Sequence, residues 1–246
     1  MQTCKFTLEH YEHILKTALS SGYAFVGFDG VKPERYCILR HDVDYVPEWS
    51  LRLGEIESRL GIKSTFFFQV SSKTYNLGDF YNRSVVEELY EMGHSIGVHV
   101  DLSLLDEIDC EDFIGDEKLV FESFTNIKPC EIVSIHNPTK EFFGKKIEGL
   151  RHTYEAEFFK EIKYLSDSQN WYEGCVCKIF SEKKYDKIQL LLHPYIWQEH
   201  SKDFLNNLAK VVIYRNQELE NHFLKYHPTC KANEAEFKKA VRLVKE

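Results

Sequence analysis

Residues 36–44 read YCILRHDVD. An apolar run that ends in charged side chains is the pattern of a buried strand. Alternate side chains on a strand share a face, so Arg40, Asp42 and Asp44 point together while His41 and Val43 point away. Two carboxylates on one face repel each other unless a cation sits between them or one is protonated. The pattern therefore suggests one carboxylate on a metal ion and the other free as a base, against the plainer alternative of a solvated acid cluster. His41, on the opposite face, reads as a hydrogen-bonded core histidine.

Outward from this stretch, strands and helices alternate. Pro47 opens a helix in which Trp49, Leu53, Ile56 and Leu60 share one face and Gly61 ends it. Residues 64–70, STFFFQV, form a β-rich run; residues 84–92 are helical, residues 95–101 a strand and residues 111–124 a helix. Further strands are expected at 131–136, 164–168 and 188–193, with flanking helices at 7–20 and 199–226. Residues 141–163 carry no clear period. Alternation with near-continuous apolar strands indicates a parallel sheet covered on both faces. An open doubly wound sheet and a βα barrel both fit, and the polar residues favour the barrel, where chemistry gathers at strand ends. Asp42 and Asp44, then His99 and Asp101, then His136, Asp167 and His193 each end an apolar run.

Composition excludes several classes of function. The chain has 246 residues, 43% hydrophobic and 28% charged, which rules out a mostly disordered protein. Its net charge of −8 argues against nucleic-acid or anionic-membrane binding. No stretch approaches the ~18 apolar residues of a spanning helix. Residues 1–16 carry acids and histidines where a signal peptide needs an apolar run, and the seven cysteines form no paired framework. Reduced thiols and a cytoplasmic location are expected. Cys175 and Cys177 make a lone C-x-C, short of the four ligands a structural zinc site takes. No linker or repeat divides the chain, so one catalytic domain over residues 1–246 is expected. P-loop, G-x-S-x-G, G-x-G-x-x-G and H-E-x-x-H motifs are absent.

Within GHSIGVHVD, residues 93–101, His99 and Asp101 share a face and suit a divalent ion such as zinc. His94 lies at the far end of that strand and reads as structural. His136 in SIHNP and His193 in LLLHP read as ligand and acid catalyst. SDS at 166–168 with Trp171 supplies a carboxylate and a large ring. His10, His13, His152, His200, His222 and His227 read as solvated.

RHDVD at 40–44, GIKSTFFF at 61–68, GHSIGVHVD at 93–101 and LLLHP at 190–194 together resemble the polysaccharide deacetylase family (carbohydrate esterase family four, the NodB-homology fold). More closely they resemble its variant branch associated with bacterial surface-polysaccharide biosynthesis. The likeness spans about residues 36–197. It implies an α/β fold, a distorted, incomplete (β/α) barrel of about seven parallel strands. It also implies Asp42 as catalytic base, Asp44 and His99 as metal ligands, and Arg40 as the partner of the base. The family's second motif histidine is Ser103 here, leaving His136 as the expected third ligand and Asp101 as its alternative. Asp167 would orient the catalytic His193, Trp171 would wall the acyl pocket, and Asn137 would touch substrate. The implied reaction is hydrolysis of an N-acetyl or other N-acyl group on a sugar, assisted by one divalent metal ion, zinc in the first instance. A nucleotide- or lipid-linked sugar is the expected substrate. The competing readings are an inactive relative that binds a glycan or nucleotide sugar, and a different barrel metallohydrolase such as a phosphoesterase.

Overall fold

The computed structural model of the chain describes residues 5–102, 110–169, 174–201 and 203–244. Two compact units divide it, Met1–Asn207 and Leu208–Glu246. Among the described residues of the first lie seven strands: β1 (Ala24–Phe25), β2 (Tyr36–Val43), β3 (Thr65–Phe68), β4 (Ser95–Val100), β5 (Ser134–Ile135), β6 (Lys163–Ser166) and β7 (Lys187–Leu192). Every pairing is parallel, in the order β5-β4-β3-β2-β7-β6, with β1 beside the start of β2. The curled sheet does not close: its path ends at β5 and β6. Helices α1 (Leu8–Ser20), α2 (Trp49–Arg59), α3 (Phe80–Glu91), α4 (Cys110–Thr125), α5 (Ala156–Phe159) and α6 (Val176–Ser181) alternate with the strands. The expected incomplete α/β barrel is the fold observed.

The period of two in β2 explains how one strand builds both core and site. Tyr36 and Ile38 belong to a buried cluster with Phe28, Phe67, Ile132, Phe158 and Ile162, which fills the lower barrel. The same face continues upward as Arg40, Asp42 and Asp44. Apolar filling thus gives way to charge along a single strand. Gly97 pairs with Phe67, and a Cβ there would come within 2.6 Å of the Phe67 ring, so glycine lets that ring fill the interior.

Some boundaries differ from the sequence reading. The helix expected at 84–92 starts at Phe80, because Asp79 caps it by accepting a hydrogen bond from the Tyr81 amide at 2.9 Å. The strand expected at 131–136 is regular only at Ser134–Ile135, and residue 133 makes a parallel bridge to residue 152 instead. β1 was not foreseen, since two residues carry no readable period. The helix expected from residue 199 begins at Phe204. His152 is fully buried and not solvated, because that bridge places it beneath the sheet edge. Helix α7 (Phe204–Tyr226) starts in the first unit and continues in the second, where it leads to the short α8 (Pro228–Ala232) and α9 (Glu234–Val244), with the rings of Phe223 and Phe237 6.1 Å apart.

Candidate active site

Because all strands run the same way, their C-terminal ends lie together. β2 delivers Asp44, β4 His99, β5 His136, β6 Asp167 and β7 His193. Register brings them into reach: His41 pairs with Leu192 and His99 with Ser134, so the residues beyond them are neighbours. Asp42, Asp44, His99, His136 and His193 line one cavity of about 280 Å³.

Arg40 is fully buried and grips Asp42 with two hydrogen bonds, Nε to Oδ1 at 2.9 Å and Nη2 to Oδ2 at 2.7 Å. It also donates to Ser134 Oγ at 2.9 Å, Tyr154 OH at 2.9 Å and Gln189 Oε1 at 3.0 Å. Ser134 in turn donates a hydrogen bond from its hydroxyl to Asp42 Oδ2 at 2.9 Å. Burial by itself would raise the Asp42 carboxyl, but the Arg40 charge outweighs it and, with His99 and His193 nearby, holds it at about 2. Asp42 is therefore a fixed, ionised carboxylate.

Asp44 Oδ1, His99 Nε2 and His136 Nδ1 form a nearly equilateral triangle, with sides of 3.1, 3.1 and 3.2 Å. Ligands bound tetrahedrally to zinc at ~2.0–2.1 Å lie about 3.3 Å apart, so the triangle matches such a site. Tautomers support the match. His99 Nδ1–H donates to the Ser134 carbonyl at 3.1 Å, which leaves the Nε2 lone pair facing the triangle. Burial raises the Asp44 carboxyl, but the imidazoles around it, His136 and His99 foremost, more than reverse this and keep it ionised. His136 is raised above an ordinary imidazole, chiefly by its hydrogen bond to Asp44. A carboxylate with two inward nitrogens is a donor set that suits a borderline divalent ion.

His193 stands across the cavity. Its Nδ1–H donates to Asp167 Oδ1 at 2.6 Å, its backbone N–H donates to Oδ2 at 2.8 Å, and Nε2 lies 3.8 Å from Asp44 Oδ2. Trp197 Nε1–H adds a bond to Asp167 Oδ2 at 2.9 Å. Burial works to lower the His193 imidazole, but the Asp167 charge and hydrogen bond overcome it and push it up to about 9. An imidazolium and a carboxylate thus flank the triangle.

Asp101 is not part of the triangle; it lines a separate small recess with Gln69, Ser71, Phe113 and Glu117. Asn137 lines the main cavity, with Nδ2 3.0 Å from His136 Nε2. Turning that amide over would let its oxygen accept the Nε2–H and leave Nδ1 free as a ligand. Trp171 and Ser103 lie outside the described residues. Sequence reading missed an aromatic wall, Phe143, Tyr154, Phe159 and Tyr164, in and beside the stretch without a period. Phe143 and Phe159 stack with centroids 4.6 Å apart. Gln189 ties this wall to the sheet through bonds to the carbonyls of Thr153 at 3.1 Å and Phe158 at 2.6 Å. A buried glutamine facing inward on an apolar strand was the available signal.

No family model matches the chain, and no curated protein matches it by sequence. Among solved structures it is similar to the chitin deacetylase of the fungal pathogen Colletotrichum lindemuthianum, at 13% identity over 73% of this chain and 81% of that one, TM-score 0.42. It is similar to the Bc1960 peptidoglycan N-acetylglucosamine deacetylase at 15% identity over 82% and 90%, TM-score 0.47. A family 4 carbohydrate esterase from Bacillus anthracis gives 15% identity over 83% and 85%, TM-score 0.43.

Proposed function

We propose that this chain is a metal-dependent deacetylase of the polysaccharide deacetylase family that removes an N-acetyl or other N-acyl group from a sugar. The observation that carries this reading is the triangle of Asp44, His99 and His136 flanked by a fixed carboxylate and an imidazolium. A divalent ion held by those three side chains would polarise the acyl carbonyl and acidify a water. Asp42 accepts the proton of the attacking water. A carboxylate this far below neutrality is a weak base, so it suits only an acidified water. Arg40 and Ser134 keep its oxygens in place. His193 gives the Nε2 proton to the departing amine, and Asp167 holds Nδ1–H so that Nε2 faces the cavity. The aromatic wall offers an apolar surface to a sugar ring and keeps bulk water away. A nucleotide- or lipid-linked precursor of a surface polysaccharide, met in the cytoplasm, is the substrate we infer. Motif spacing along residues 40–44, 93–101 and 190–194 supports the family part of this reading.

The test is release of acetate from N-acetylated nucleotide sugars and oligosaccharides by protein stripped with a chelator and reloaded with zinc. Acetate and free amine should form only with the reloaded protein. Binding without turnover would instead identify an inactive sugar-binding relative. Phosphate release without acetate would identify a phosphoesterase.

A further inference from the structure

A second cluster of donor atoms lies between two outer helices and takes no part in the chemistry above. His10 sits in the first turn of α1, while Cys175 caps α6 and Cys177 lies in its first turn; α1 packs against α6. His10 Nε2 is 3.2 Å from Cys175 Sγ and 4.0 Å from Cys177 Sγ, and the two sulfurs are 2.7 Å apart. These three donors satisfy the same convergence criterion as the active-site triangle, and among the described residues only these two groups do. All three side chains are half-buried, so solvent ions reach them. At zinc–sulfur and zinc–nitrogen lengths of ~2.3 and ~2.0–2.1 Å, tetrahedral nitrogen–sulfur pairs lie about 3.5 Å apart, between the two observed, and sulfur pairs about 3.8 Å apart, so the two sulfurs must separate by about 1 Å to share an ion. Two thiolates and an imidazole are softer than the carboxylate set at the barrel mouth and select zinc over magnesium or calcium.

We propose that His10, Cys175 and Cys177 form a second, redox-gated site for a thiophilic divalent cation such as zinc, which clamps α1 to α6 in the reduced protein. Cys175 is disulfide-bonded in the structure, whereas Cys177 is a free thiol. Metal uptake therefore follows reduction. A dithiol supplies two electrons and two protons, the bond opens to the Cys175 thiol and the thiol of the cysteine bonded to it, which is none of Cys37, Cys130, Cys177 and Cys230, and the reductant closes to its own disulfide. On binding, the Cys175 and Cys177 thiols each release a proton to solvent, and His10 offers the Nε2 lone pair. His10, 165 residues away in sequence, brings a third donor to the C-x-C motif, and a solvent ligand would complete a four-coordinate site.

The full chain, reduced and freed of metal under anaerobic conditions, is titrated with Co²⁺, whose thiolate complexes have a strong near-ultraviolet charge-transfer band. Reduced wild type should develop the band, added Zn²⁺ should bleach it, and unreduced protein should lack it. His99→Ala should keep the band, which separates this site from the barrel mouth. Cys177→Ser should lose most of it. In parallel, alkylation of reduced wild type is followed cysteine by cysteine by mass spectrometry. Zinc should slow labelling of Cys175 and Cys177 at least several-fold while leaving the half-buried Cys230 unchanged. Cobalt uptake by reduced wild type without a sulfur band, or equal labelling with and without zinc, overturns the proposal.

Discussion

Asp167 shows most clearly how a single residue sets the chemistry. Three donors converge on its carboxylate, from His193 Nδ1, the His193 amide and Trp197, so its geometry is fixed and its charge is spent on one imidazole. The folded-state value of His193 is raised, so its acid form is complete well below about 9 and is lost as pH rises through that value. A cation at the triangle opposes this protonation, so the alkaline limb of the loaded enzyme should fall at or below about 9. Asp167→Asn removes the raising charge and leaves the burial, so that limb should move down by at least one pH unit in a kcat profile. An unchanged limb would assign the acid to another group. Asp42→Asn should lower kcat by about 100- to 10,000-fold, the usual contribution of a positioned base, while elemental analysis still finds the metal. These residues were legible because a strand has a period of two and a strand end is easily found. Ser134 and Tyr154 were not legible. A serine two places before a histidine and a tyrosine in an irregular stretch have many ordinary explanations, and only the fold brings both to Arg40.

At the scale of elements, β2 is buried on both faces, and each face carries its own hydrogen-bonded carboxylate. Outward from the barrel, His41 Nε2 meets Glu57 Oε1 at 2.7 Å, and Tyr11, Ser64 and His94 complete the surroundings of that carboxylate. Glu57 is fully buried on α2, yet its carboxyl is lowered: burial raises it, and His41 together with the other donors overrides this. The network joins α1, α2, β2 and β3 behind the site. Sequence reading assigned His41 and His94 to structure but missed Glu57, because one acid on an amphipathic helix is indistinguishable from a solvated one until its neighbours are known. Glu57→Ala would strand two imidazoles and a tyrosine in the core. Such changes cost about 3–5 kcal/mol, which urea denaturation should record, with metal content unaltered in the fraction that remains folded. Gly97→Ala should cost about 1–3 kcal/mol, because its methyl group meets the Phe67 ring and the Cys130 sulfur. A loss under 0.5 kcal/mol in that variant would mean that the barrel interior is packed more loosely than described.

Across the whole molecule, the barrel concentrates opposite demands at one end. Its interior is apolar where Tyr36, Ile38 and Phe67 meet, and ionised where Arg40, Asp42, Asp44 and His193 meet. The arginine neutralises one buried carboxylate and leaves the other facing two imidazoles. Alternation of strands and helices made the barrel legible, since a parallel sheet needs that order. The segment that walls the cavity between β5 and β6 was not legible, because its residues are held by Gln189 and by a single bridge to the sheet edge and not by periodic packing. This arrangement makes the metal a stabiliser of the folded state. An ion that binds only the native site at 100 times its dissociation constant adds about 2.7 kcal/mol. For a chain of this length each kcal/mol raises Tm by about 2–4 °C, so saturating zinc should raise Tm by about 5–10 °C. The measurement belongs on unreduced protein, so that the cysteine cluster does not contribute. His99→Ala and Asp44→Asn should each abolish the shift, whereas Asp42→Asn should retain it. If His99→Ala were stabilised by zinc as much as the parent chain, the ion would lie elsewhere and the triangle would be only a hydrogen-bonded cluster.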